Sequence, residues 1–216
     1  VLEQNKKIKI AVLISGGGTN LQALIDAEKS GIIKSGEISL VISSKEDAYG
    51  LKRAENAGIR GIYLPSSKER MPKEFKGFKG FKGFEDELSN LIKENNIELI
   101  VLAGFMKILS EEFVKKYPNR IINVHPSLIP SFCGKGAYGL KVHEMALNYG
   151  VKVTGATVHF VNEIPDGGEI LLQKAVYVED DDTPEILQKR VMQEAEWILL
   201  PKAVEMVSKK IMEGEI

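Results

Sequence analysis

"IKIAVLISGGGTN", residues 8–20, opens on a compact apolar run and breaks off at three consecutive glycines. The run, residues 8–14, has the length and composition of a buried strand. Beyond the glycines, "LQALIDAEKS" spaces Leu21, Leu24 and Ile25 along one helical face. Strand, glycine turn and helix in immediate succession begin an α/β architecture.

The pattern repeats outward from there. "EISLVIS" (37–43), "RGIYL" (60–64), "IELIVLAGF" (97–105) and "RIINVH" (120–125) read as further short strands. Helices are expected over 48–58, 84–95 and 110–117, the last with Ser110 as its N-cap and Pro118 just past its end. This alternation predicts a mostly parallel twisted sheet with flanking helices. After a loop at 126–138 the rhythm changes: "VKVTGATVHFV" (151–161) and "EILLQKAVYV" (169–178) form an expected antiparallel pair joined by "NEIPDGG" (162–168). A long helix runs from Thr183 or Pro184 to about Lys210, with "DDDTPE" supplying acid to its positive end. No linker composition appears, so residues 1–216 read as one domain. The tandem repeat "FKGFKGFKGF" (75–84) fits an exposed loop, or a basic flap over an anionic ligand.

Bulk composition narrows the partners. The 216 residues are 44% hydrophobic and 27% charged, with a net charge of -1, which gives no general attraction to nucleic acid or anionic membrane. Cys133 is the single cysteine, so an internal disulfide is excluded. No apolar run approaches the ~20 residues of a membrane span. The start, "VLEQNKKIKI", lacks a signal-peptide pattern, which sets a cytoplasmic expectation. His125, His143 and His159 are scattered without HExxH spacing, so no metal site is expected.

Three segments carry chemistry. In "SGGGTN" (15–20) the glycines let backbone N–H groups approach a ligand, and Gly18, Thr19 and Asn20 stand at a helix N-terminus that favours an anion. Leu21 occupies the place of the third glycine of a dinucleotide fingerprint, and Ser43 and Ser44 stand where its ribose-binding acid belongs. G-K-[ST] is missing too, so a monophosphate cradle is the better reading over a bare turn. In "NVHPSLIP" (123–130), Asn123 and His125 share a face at a strand end, where open parallel sheets bind ligands. Asn123 can donate to an oxyanion and His125 can move a proton near neutral pH. Asp166, in the Pro-Asp-Gly-Gly turn, is plain turn chemistry by itself but would raise the pKa of a neighbouring imidazole. His143 reads as surface or packing, and His159 as a supporting hydrogen-bonder on a strand face.

Together, "VLISGGGTNLQALIDA", "VLAGFMKILS", "INVHPSLIPSFCG", "GATVHFVNEIPDGG" and "TPEILQKRV…EAEW" resemble the phosphoribosylglycinamide formyltransferases over nearly the whole chain. The resemblance implies a formyltransferase-type Rossmann-like fold with a ribonucleotide-phosphate half (about 8–104) and a folate and catalytic half (about 105–216). It implies transfer of a formyl group from 10-formyltetrahydrofolate, a cosubstrate with no tightly bound cofactor beside it, to the amine of glycinamide ribonucleotide in purine biosynthesis. Asn123, His125 and Asp166 match the family's catalytic trio. Gly18, Thr19 and Asn20 match its phosphate loop, and Gln193 and Glu196 its polar ribonucleotide contacts. Met106, Lys107, Ile108, Leu109, Asn123 and the loop Asn162, Glu163, Ile164, Pro165, Asp166 match the folate pocket. There are departures: Trp197 replaces the usual histidine after irregular spacing, and Lys79 or Lys82 stands in for a basic folate contact blurred by the repeat. The expected assembly is a monomer or homodimer. A deformylating hydrolase would carry a further domain before the first strand, and an initiator-tRNA formyltransferase a further tRNA-binding domain; neither is seen in this sequence. A non-catalytic nucleotide-binding module would explain the glycines but leave the trio without a purpose.

Overall fold

The computed structural model describes residues 7–65 and 83–216. The repeat's lysines, Lys79 and Lys82, lie outside the described residues. Strand β1 (Ile8–Ile14) is almost wholly buried, and the glycine turn carries the chain into α1 (Thr19–Lys29). There follow β2 (Gly36–Ser43), α2 (Tyr49–Asn56), β3 (Arg60–Tyr63), α3 (Phe84–Glu94), β4 (Leu99–Leu102), α4 (Glu111–Lys115) and β5 (Ile121–His125). Ser110 caps α4 by accepting the Phe113 N–H at 3.1 Å. Helix α5 (Leu140–Tyr149) leads to β6 (Val153–Phe160) and β7 (Ile170–Tyr177).

Among the described residues these strands form one sheet in the order β3-β2-β1-β4-β5-β6-β7. The first five are parallel. Chain order reverses between β1 and β4, and the splayed carboxyl ends there leave a crevice. β6 and β7 are antiparallel neighbours, as their turn implied, and β6 is also antiparallel to β5. Apolar side chains bury each face of the sheet under its own helical layer: Ile10, Val12, Leu24 and Val204 on one side, Leu13, Ile42, Leu88 and Phe113 on the other.

The expected last helix is present but not uniform. Thr183 caps α6 (Pro184–Val191), and Met192–Glu196 then widen into a π-helical turn before α7 (Trp197–Glu213). The irregular spacing ahead of Trp197 falls on this turn. Such widened turns concentrate at functional sites.

At the crevice, Gly18 takes φ 69° and crosses α2 so closely that a Cβ on it would lie 2.7 Å from the Gly50 Cα. Both conditions require glycine. Gly18→Ala is therefore expected to destabilise the protein by at least about 2 kcal/mol, from left-handed strain plus a backbone clash. Urea denaturation would read this as a lowered midpoint at unchanged slope.

Candidate active site

A cleft of about 540 Å3 opens at the carboxyl ends of β1, β4 and β5. Thr19, Asn20 and Glu196 line one end of it; Met106, Lys107, Ile108, Leu109, Asn162, Glu163 and Pro165 line the other; Asn123, His125 and Asp166 lie along it too. Three expected contacts are not brought in. Gly18 supports the rim without lining it, Ile164 points to solvent at 61% exposure, and Gln193 is exposed on the π turn. Gln188, Met192 and Glu196, at successive steps of four, form the row that does face the cleft. The π turn thus leaves Gln193 off the cleft wall.

The glycine end is shaped for an anion. No side chain caps α1 and no acid occupies its first turn, which leaves its positive end uncovered. Arg53 holds the Gly17 carbonyl at 2.8 Å and Gln22 at 3.0 Å, fixing the loop from behind. Asn20 is more committed than expected: its Nδ2 donates to Glu196 Oε2 at 2.6 Å, and its buried Oδ1 has no partner among the described residues. Burial drives the Glu196 pKa up to about 7, against the opposing pull of the Asn20 N–H. At the far end, Ser15 bridges Ser44 at 2.7 Å and the Met106 N–H at 2.9 Å, so the end of β1 holds the 104–109 wall in place.

Asn123 and His125 share one face of β5, as their alternation required. The antiparallel register sets Asn123 directly opposite His159, a partnership that local sequence does not reveal. His159 Nδ1 lies 2.7 Å from the Phe160 carbonyl, and a carbonyl can only accept. Nδ1 is therefore protonated, and Nε2 lies 3.2 Å from Asn123 Nδ2. One amide hydrogen of Asn123 is thereby anchored and the other is available to a ligand. The same logic applies to His125, whose Nε2 donates to the Phe132 carbonyl at 2.9 Å. Nδ1 is then the nitrogen left to take up a proton, and it stands 3.6 Å from Asp166 Oδ2.

Asp166 fastens the site. Its Oδ2 also accepts the Gly134 N–H at 2.8 Å, and its Oδ1 is 3.7 Å from His159 Nε2. Burial works against its charge, but His159, His125 and the Gly134 N–H more than offset this and hold its pKa below the ordinary value. Asp166 raises the His125 pKa as expected, but it does not set the net direction. Burial lowers its pKa by more than Asp166 and the Phe132 carbonyl raise it, so the free imidazole is biased neutral. Of the two expectations for His143, surface or packing, the structure shows packing: it is fully buried, and it is among the residues that line the cleft. Among the described residues no group of three His, Cys, Asp or Glu side chains is disposed to hold a metal, and no helix is long and apolar enough to cross a membrane.

Residues 8–204 match the family model described as formyl transferase. The chain belongs to the formyl transferase family. It is 40% identical over 197 residues to the phosphoribosylglycinamide formyltransferase of Haemophilus influenzae, covering 91% of this chain and 85% of that protein. It is 44% identical over 205 residues to the trifunctional purine biosynthetic protein adenosine-3 of Gallus gallus, covering 95% of this chain. The chain spans only 19% of that relative's length, and 62% of the 39%-identical chloroplastic phosphoribosylglycinamide formyltransferase of Arabidopsis thaliana, of which the match covers 88% of this chain. Among solved structures, glycinamide ribonucleotide transformylase 1 of Symbiobacterium toebii superposes with a TM-score of 0.81 at 38% identity, covering 96% of this chain and 90% of that one.

The buried Glu196 gives a pH signature. Its folded pKa of about 7 lies above the ordinary 4.5, so between those values the folded protein keeps a proton that the unfolded chain releases. Stability attributable to this group falls as pH rises through that window, and the loss is complete above it. Glu196→Gln removes the penalty. Its stability gain over the unsubstituted protein is expected to grow from about pH 5 to about pH 8 by on the order of 3 kcal/mol. Paired urea titrations at the two pH values check this.

Proposed function

We propose that this protein transfers the formyl group of 10-formyltetrahydrofolate to the amine of glycinamide ribonucleotide, giving formylglycinamide ribonucleotide and tetrahydrofolate. The carrying observation is the convergence of Asn123, His125 and Asp166 between an anion-ready helix end and a largely apolar wall. The 5′-phosphate would sit on the α1 N-terminus at Gly18, Thr19 and Asn20, with Glu196 beside the ribose. The pterin would enter between the 106–109 wall and the 162–166 loop, which exposes Met106 and Ile108 to receive an aromatic ring.

The amine lone pair attacks the formyl carbon, and the carbonyl electrons move onto oxygen. Asn123 donates its free amide hydrogen to that oxyanion, with its nitrogen already fixed by His159. The amine becomes acidic as its N–C bond forms and passes a proton to His125 Nδ1. The imidazolium created there faces Asp166, which stabilises charge only once it develops. The proton then goes to the folate nitrogen as its bond to the formyl carbon breaks. A neutral resting His125, favoured by burial, suits this role as acceptor followed by donor.

A deformylase would use the same trio with water as acceptor. The uncapped α1 end at the opposite side of the cleft favours an anionic acceptor instead, because anchoring one end of a substrate orients the other. Purified protein with 10-formyltetrahydrofolate is expected to release formate slowly alone. With glycinamide ribonucleotide added, mass spectrometry should detect the formylated ribonucleotide in stoichiometric yield with tetrahydrofolate. Rapid formate release indifferent to the ribonucleotide would make this a deformylase. Within the site, Asp166→Asn should lower the His125 pKa further, by NMR titration, and depress kcat more than either KM.

A further inference from the structure

His143 lies on α5, fully buried, and is among the residues that line the cleft. Neither Nδ1 nor Nε2 has a hydrogen-bond partner among the described residues. Buried polar atoms are rarely left so, and a doubly unpaired imidazole on a residue lining a cleft marks a place where a ligand completes the bonding. Burial, with the nearby charge of His125, pushes its pKa down to about 4. The ring is therefore neutral at physiological pH, offering one N–H donor and one lone pair.

Its position selects the ligand group. Helix α5 packs against α6, which carries Gln188, and the row Gln188, Met192, Glu196 lines the same cleft. His143 thus stands near His125 on a helix that packs against the one carrying Gln188. Resting on the formyl-transfer reading above, we propose that His143 binds the secondary amide that joins the sugar of the ribonucleotide to its reactive amine. A secondary amide presents one carbonyl acceptor and one N–H donor, the complement of a neutral imidazole. Holding that amide would fix the short arm between the anchored phosphate and the attacking nitrogen. This makes His143 a substrate-binding residue that sets the direction of attack and takes no proton itself.

That role accounts for an imidazole, rather than an apolar side chain, at this buried position. An apolar side chain of similar size would be no worse for stability there, because it leaves no polar atom unsatisfied. His143→Leu should accordingly fold with an unchanged or higher Tm, while its KM for the ribonucleotide rises about five- to tenfold, the loss of a hydrogen bond. KM for the formyl-folate should not change. His143→Asn, which keeps a donor and an acceptor, should recover part of the loss. In the unsubstituted protein, 15N NMR of labelled histidine should show the His143 ring nitrogens shifting with ribonucleotide alone and not with a folate analogue alone.

A ribonucleotide KM unchanged in His143→Leu would overturn the proposal, as would equal losses for both substrates. So would His143 resonances that ignore the ribonucleotide, which would assign the ring to an ordered water. Should the leucine variant fail to fold, the asparagine variant and the NMR titration decide alone. If the unsubstituted protein formylates no ribonucleotide, the parent reading fails; if it does so and His143→Leu is its equal, only this inference falls.

Discussion

The carboxylate of Asp166 joins three segments that are distant in sequence. It takes the N–H of Gly134 in the loop after β5, lies against His125 at the end of β5, and approaches His159 on β6. It reaches them from a tight turn in which it adopts φ 56°, a conformation that non-glycine residues seldom take. The loop, the strand end and the turn are thereby held in one arrangement by a single group of fixed charge. Were that carboxylate neutralised, the buried imidazole of His125 would lose the one close source of negative charge it has among the described residues.

Two opposed pressures meet at His125. Withdrawal from water disfavours its cation, and Asp166 favours it; burial prevails. The balance leaves the ring ready to receive a proton next to a group that would stabilise the result. A dominant carboxylate would have kept the ring protonated at rest, removing it as an acceptor. At the other end of the cleft burial acts unopposed by any charge, and Glu196 is held near the midpoint of its titration at neutral pH.

Most of the fold is legible in the sequence because each strand and helix declares itself locally. The run at 8–14, the Ser110 cap and the Thr183 start all appear where their side chains demand. The site is legible to the extent that its members share an element: Asn123 with His125 by strand alternation, Thr19 with Asn20 by the helix start. What local pattern does not carry is register between elements. The pairing of Asn123 with His159 depends on β6 running antiparallel to β5, and the burial of His143 depends on how α5 lies over the cleft. The displacement of Gln193 has another cause, since helical spacing assumes a constant number of residues per turn.

The widened turn at Met192–Glu196 bears on how this chain is compared with its relatives. An α-helix advances about 100° per residue, so one residue absorbed in a bulge rotates everything before it relative to everything after. Counting back from Pro201 and counting forward from Thr183 therefore assign different residues to the same place on the cleft wall. A role transferred from a relative with an unbroken helix holds on only one side of the bulge. Correspondence here is a matter of azimuth about the helix axis and cannot be read from position in an alignment column.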